Sequence, residues 1–403
     1  MLNVRKIWDD LYWLAGNDLR IARFENYIPL DRGVSYNSYL LVDEDKSILF
    51  DTVDRSVADN WLEKVEKILG ERSLDYLIIQ HMEPDHCAGI NEVLARYPEC
   101  QVIGNKRTMQ FLKQIRGRDY SDRAQLIKDG DELKTAHHHF KFVFAPMVHW
   151  PEVFVTYDLK QEALFSADAF GSFKAVVGNI YADEVDWKHE FLDEARRYYL
   201  NIVGKQGAAV MRLFAKLDGL PLSYIFPLHG VMFRGESIPM ILGYYTKWAS
   251  YEPEEKGVVF AISTMYGNMQ QAAEALALKL GERGVKKIIF HDVSQSGCSH
   301  VLADCYRYSH VVFCSVTYNA DLYFNMHSLL HELQVMNFQK RRYALMVSQT
   351  WAGMAEQVSQ EMIQACPELT QVGETIKILT QLTDEQEEAI DRLADQIAAE
   401  ILA

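Results

Sequence analysis

The chain has no apolar run of the ~18 residues that a membrane-spanning helix needs. Its N-terminus, MLNVRKIWDDLYWLAG, lacks the unbroken apolar core of a signal peptide, because Asp9 and Asp10 interrupt it. A cytoplasmic location is therefore the expectation. There is no block of Lys or Arg, and with a net charge of −15 no basic stripe is on offer to a nucleic acid. An acidic surface suits solubility, or docking to a partner with a complementary patch. The six cysteines (Cys87, Cys100, Cys298, Cys305, Cys314 and Cys366) are scattered and form no CxxC pair. That argues against a zinc knuckle, a four-thiolate iron site and a disulfide framework, and leaves buried reduced thiols.

At 403 residues the chain exceeds what one core usually serves, so two domains are expected. Its character changes near residue 250. Before that point lie strand-like runs rich in Val, Ile, Phe and Tyr: SYLLVD, SILFDTV, LDYLIIQH, KFVFAPMVHW, EALFSAD and LSYIFPLHG. A helical period around Val57 to Leu69 lies among them, which implies helices layered on sheet. YEPEEKG, Tyr251 to Gly257, reads as a linker. Five short strands then alternate with helices: GVVFAIS, KKIIFHD, HVVFCSV, RRYALMVSQ and TIKILT. This spacing predicts a doubly wound parallel sheet. Thr383 and Gln386 form a capping box for a last helix, with Ile390, Leu393 and Ile397 on one face. The HHH run, His137 to His139, reads as an exposed hairpin segment.

HMEPDHCAG follows the apolar strand LDYLIIQ. In an extended segment His81, Glu83 and Asp85 fall on one face, with His86 starting the turn. His149, Asp168 and His229 each sit where another apolar strand stops. Singly these are common as capping Asp or hydrogen-bonded His. Together they give four histidines and three carboxylates, too many for one ion but enough for two that share a carboxylate. Such a donor set suits iron, manganese or zinc, and its carboxylates favour iron.

The second half carries a separate pattern. TMYGNM, Thr264 to Met269, lies between the first strand and a helix, where backbone N–H groups can hold a phosphate. The loops SVTYN (Ser315 to Asn319) and SQTWA (Ser348 to Ala352) follow two later strands and bring Tyr318 and Trp351 to the edge where open α/β sheets bind ligands. A flat cofactor such as a flavin fits there.

HxExDH, followed by HWPE, SADAFG and PLHG, resembles the flavodiiron (A-type flavoprotein) family. Zinc hydrolases of the metallo-β-lactamase superfamily typically read HxHxDH, whereas Glu83 takes the second position here. MYGN and SVTYN resemble the family's FMN loops, and the likeness runs over essentially the whole chain. It implies a metallo-β-lactamase-like αββα sandwich over residues 1–250, then a flavodoxin-like five-stranded parallel sheet over 251–403. It further implies that His81, Glu83 and His149 hold one iron, that Asp85, His86 and His229 hold the other, and that Asp168 bridges them. The FMN contacts would come from Thr264, Met265, Tyr266, Gly267, Asn268 and Met269. They would continue with Ser315, Val316, Thr317, Tyr318 and Asn319, and with Ser348, Gln349, Thr350, Trp351 and Ala352. Met269 stands where the family commonly has Thr, Val316 where it has Pro, and Asp54 where it often has Lys.

The activity so implied is reduction of O2 to water, of NO to nitrous oxide, or both. Electrons would pass from a separate donor (rubredoxin, or reduced coenzyme F420) to FMN and on to the irons. The family's assembly is a head-to-tail homodimer or a tetramer. The competing expectations are a dinuclear zinc hydrolase with a fused flavodoxin-like domain, and a flavin electron carrier with a vestigial metal site.

Overall fold

The computed structural model describes residues 4–403. The chain forms two compact units that divide between Tyr245 and Thr246, within the helix Ser237–Ala249. Residue 250, where the sequence changes character, follows directly on that helix. Among the described residues no helix is long and apolar enough to cross a membrane.

The first unit is built on two sheets. One orders Arg5–Lys6, Leu11–Trp13, Tyr39–Val42, Ser47–Phe50, Tyr76–Ile78, Gln101–Gly104 and Ala124–Leu126 as they come in the chain. Its last four strands are parallel. Parallel strands need cover on both faces. Here Trp61 and Val65 of helix Ala58–Leu69, and Val93 and Leu94 of helix Ile90–Arg96, join Leu49, Leu77 and Val102 in one buried cluster. The other sheet runs Glu132–Lys134, His139–Phe144, Phe154–Asp158, Ala163–Phe165, Tyr224–Phe226 and Phe233–Arg234. The sheets meet through aromatic rings: Phe50 stacks on Phe165 at 4.0 Å, and Phe140 and Tyr39 pack edge-on around that pair. Phe154–Asp158 was not anticipated, although FVTYD has strand composition, and the two-residue edge strands carry too little pattern to read.

The HHH expectation needs correction. The segment does lie in a hairpin, Glu132–Lys134 pairing with His139–Phe144. His138, however, is buried: Nδ1 donates to Asp158 at 2.5 Å, Nε2 reaches Asp10 at 3.0 Å, and the ring stacks on Phe140. A local pattern cannot show a carboxylate contributed from 128 residues away.

In the second unit the strands Glu255–Ile262, Ile288–Asp292, Tyr308–Tyr318, Arg341–Gln349 and Ile376–Leu379 are parallel, in the spatial order second, first, third, fourth, fifth. The first strand starts at Glu255, so it takes in the end of the expected linker. Two short strands extend the sheet: Asp321–Leu322 folds back antiparallel on the third, and Leu369–Gln371 pairs with the start of the fourth. Ile390, Leu393 and Ile397 of helix Asp384–Leu402 are buried as their spacing requires, and Thr383 N–H donates to Gln386 Oε1 at 2.9 Å. Five cysteines are buried and Cys298 is half-buried, and all are free thiols.

Candidate metal centre and cofactor cleft

Strand ends of the first unit deliver seven side chains to one buried place. The first donor group is His81, Glu83, His149 and Asp168; the second is Asp85, His86 and His229. Pro84 decides how HMEPDH is shared between them. Glu83 is still extended (φ −60°, ψ 144°), and Pro84 opens a one-turn helix, Pro84–Cys87. Proline at the first helical position is preset for that bend. Asp85 therefore does not share a face with His81 and Glu83, as alternation along a strand would place it. It turns with His86 towards His229: Asp85 Oδ2 lies 3.2 Å from His229 Nε2 and 3.4 Å from His86 Nε2.

In the first group His149 Nε2 is 2.9 Å from Glu83 Oε2 and 3.2 Å from His81 Nε2. In the second, His86 Nε2 is 2.9 Å from His229 Nε2. Asp168 lies between: Oδ2 is 3.0 Å from His149 Nε2 and 3.3 Å from His81, while Oδ1 is 3.1 Å from His86 and 3.7 Å from His229. Separations near 3 Å are what donors at about 2.1 Å from a shared ion would have. His81 Nδ1 donates to Glu152 and His229 Nδ1 to the Ser35 carbonyl, each at 2.9 Å or less, which leaves both Nε2 atoms as acceptors. Both oxygens of Asp85 and of Asp168 are buried without a hydrogen-bond donor. Carboxylates left in that state need a cation, so the residues fit a pair of metal ions.

The electrostatics say the same. Burial opposes charge on His86, but Asp85 and Asp168 outweigh it and push the imidazole up to about 9. Burial likewise opposes charge on His149, and Asp168 and Glu83 raise it to about 9. Without metal, the charge of these raised imidazoles offsets the carboxylates, so metal uptake must release protons.

Two neighbours escaped the sequence reading. The Tyr198 hydroxyl is buried with no partner, and its ring centroid is 5.2 Å from that of His229. Burial, then the charges of Asp168, Asp85 and Glu83, keep it a neutral phenol. Glu25, at the exposed tip of the hairpin made by Arg23–Phe24 and Ile28–Pro29, lies beside Glu83, whose charge helps hold its carboxyl above the usual range. Phe24 of that hairpin packs edge-on against His229 at 5.7 Å. Neither Tyr198 nor Glu25 sits in a motif; a strand-end search misses a helical Tyr and a hairpin tip.

In the second unit a cleft of about 310 Å³ opens at the C-terminal ends of the strands. The first loop lines it with Thr264, Met265, Tyr266, Asn268 and Met269. The ends of the third and fourth strands, with the loops that follow them, add Val316 to Asn319 and Ser348 to Trp351. Gly267, in the left-handed region (φ 91°), leads into helix Asn268–Glu282, whose first N–H groups have no side-chain cap. Thr264 Oγ1 accepts from Gly267 N–H at 3.1 Å and keeps its own hydrogen to donate. Tyr266 and Trp351 are 90% and 70% exposed, so their rings can close over a flat guest. Uncapped N–H groups for a phosphate and exposed rings for a flat ring system fit FMN. Gly267, Ser315 and Ala352 do not line the cleft; Ser315 is buried and its hydroxyl is 2.8 Å from that of Ser263. Met269 reaches the cleft but packs mainly in the core. Thr380, which ends the fifth strand's TIKILT, also lines the cleft, and its carbonyl accepts from Asn268 Nδ2 at 2.5 Å.

Residues 34–230 match the family model described as ODP family beta lactamase. The chain is 28% identical over 355 residues to the anaerobic nitric oxide reductase flavorubredoxin of Escherichia coli O139:H28, covering 86% of this chain and 72% of that one. Among solved structures it resembles the rubredoxin oxygen:oxidoreductase of Desulfovibrio gigas, with TM-score 0.92, 23% identity and 99% of each chain covered. It also resembles the flavodiiron protein of Giardia intestinalis, with TM-score 0.90, 22% identity, and 100% and 98% covered. At these identities the structural likenesses speak for the fold.

Proposed function

We propose that the chain is a flavodiiron protein, a metallo-β-lactamase-like domain followed by a flavodoxin-like one, and that it is an oxidoreductase that reduces O2 to water, NO to nitrous oxide, or both. When bound, FMN and two irons supply the electron path from an external donor to the gas. In this reading residues 1–250 form the diiron domain and 251–403 the FMN domain. The observation that carries it is Asp168, which turns one buried, donor-free oxygen to each donor group.

The remaining roles follow from the side chains. His81, Glu83 and His149 would hold one iron, and Asp85, His86 and His229 the other. Asp168 would offer one oxygen to each. Phe24, Tyr36 and Tyr198 pack around His229 and keep water from that side. The Tyr198 phenol, kept protonated and without a hydrogen-bond partner, would offer its O–H to a small molecule bound at the metal pair. The uncapped N–H groups at Asn268 and the Thr264 hydroxyl take the FMN phosphate, and Trp351, Tyr266 and Tyr318 flank the ring system. A protein of this kind works in the cytoplasm, takes electrons from rubredoxin or reduced coenzyme F420, and assembles head-to-tail as a dimer or tetramer, so that one subunit's flavin serves its partner's irons.

The test is anaerobic NO consumption, and O2 uptake in parallel, by iron- and FMN-loaded protein supplied with reduced rubredoxin or reduced F420. Donor-dependent consumption of at least one gas is expected. No turnover of either gas, with donor-independent hydrolysis of a model ester, would replace this reading with the zinc hydrolase.

A further inference from the structure

The two donor groups contain similar side chains but are backed differently. His81 Nδ1 donates to Glu152 Oε1 at 2.8 Å, and the same oxygen accepts the Met82 N–H at 2.9 Å. Both side chains are fully buried, and Glu152 Oε2 meets no donor at all. Glu152 is itself fixed: its carbonyl accepts from Asn105 Nδ2 at 2.6 Å, and Asn105 is anchored as the N-cap of helix Lys106–Arg116. The second group has no such carboxylate. His229 Nδ1 donates to the neutral Ser35 carbonyl at 2.9 Å, and His86 Nδ1 is buried with no protein partner.

Those differences have consequences for a metal on the far ring nitrogen. A carboxylate behind an imidazole fixes its tautomer and orientation and makes it a stronger donor. A carbonyl fixes the tautomer but adds less to basicity. A ring with no partner gains neither. Glu152 also needs a positive charge nearby, because one of its oxygens is buried and unpaired. A cation at His81 Nε2 meets that need through the ring.

We infer that Glu152 makes the two metal positions unequal. It tightens the position built by His81, Glu83 and His149, and the position built by Asp85, His86 and His229 gives up its metal first. The inference rests on the paired-metal reading above. Glu152 is a positioning residue: it acts only through His81.

The test uses the full chain loaded with Co(II) and challenged with excess chelator, while metal release and the visible Co(II) spectrum are followed. The wild type should release two equal portions at well-separated rates. Glu152→Gln, which keeps size and shape but removes the charge, should speed the slow portion by about 10–100-fold and leave the fast one unchanged. It should also shift the spectrum of the half-loaded species. Glu152→Asp, which restores the charge, should recover part of the slow rate; a purely packing role would move neither the spectrum nor this rescue. Release of both portions at one rate in the wild type, or equal acceleration of both by Glu152→Gln, overturns the inference and leaves the paired site standing. A wild type that takes up fewer than two metals overturns the paired site, and this inference with it.

Discussion

In the metal centre of the first unit, the recognising atoms all belong to side chains, and nearly all of them are buried. In the cleft of the second unit, much of the recognition falls to backbone N–H groups at a helix start and to rings such as Tyr266 and Trp351 that stand largely in solvent. The first region is built before its guest arrives, from donors that repel or attract one another and need a cation to settle them. The second is a loop cluster that its guest completes. Single substitutions should therefore be severe in one region and mild in the other.

Asp168→Ala breaks the comparison hardest. It removes the oxygens that serve both groups, so both metals should be lost on elemental analysis and gas reduction should fall by more than about 100-fold, beyond the range usual for a residue that only supports a ligand. Thr264→Ala in the cleft deletes one hydroxyl beside several N–H groups and should weaken FMN binding by less than about tenfold, read by flavin fluorescence. Comparable losses at the two positions would show that the cleft is as side-chain-dependent as the metal site.

The second unit has its own inflexible point, away from the cleft. Arg341 is buried and donates to the carbonyls of Tyr251 (2.6 Å), Cys305 (3.3 Å) and Tyr306. Burial lowers it to about 10, still charged at neutral pH. Arg341→Met should cost about 3 kcal/mol in urea unfolding while leaving metal content untouched. Loss of metal in this variant would mean that the two regions are not as independent as their separate cores imply.

Within the metal centre, Tyr198→Phe keeps the packing on His229 and removes only the orphan O–H. Gas reduction should drop by about tenfold with two metals retained. In the cleft, Trp351→Ala removes one ring face and should raise the FMN dissociation constant by about threefold to tenfold.

The smallest effect concerns His138. Burial opposes its charge, but its bonds to Asp158 and Asp10 win and raise its pKa above 6.5. A group raised in the folded state contributes stability that is full below the unfolded value and lost as pH rises through the folded one. The urea midpoint should thus fall as pH is raised past 6.5 and beyond the folded pKa, and His138→Gln should remove that part of the slope. An unchanged slope would mean that the ion pairs do not form.

These residues also show what the sequence could disclose. His81, His149, Asp168 and His229 were legible because apolar strands stop at them, His81 on the first sheet and the other three on the second. The split of HMEPDH between two groups was legible only in Pro84, whose effect on direction outweighs strand alternation. Glu152 stood in the HWPE motif, but its role depends on which His81 nitrogen it meets, a matter of tertiary packing. Tyr198 and the Asp10–His138–Asp158 chain were invisible for the same reason: partners far apart in sequence leave no local period. In the second unit the repeating strand and helix pattern gave the sheet, and the loops after the first, third and fourth strands marked the cleft. Thr380 follows the fifth strand in TQLT, which carries no Gly or aromatic residue of the kind that marks the other cleft loops.

The most direct test of the central claim is a count of iron, zinc and FMN per chain in protein purified without oxygen and supplied with ferrous iron. Two shared-carboxylate positions and one cleft predict about two irons and one FMN, with the iron lost together in Asp168→Ala. Two zincs that ferrous iron cannot displace, or a single metal that survives Asp168→Ala, would contradict it.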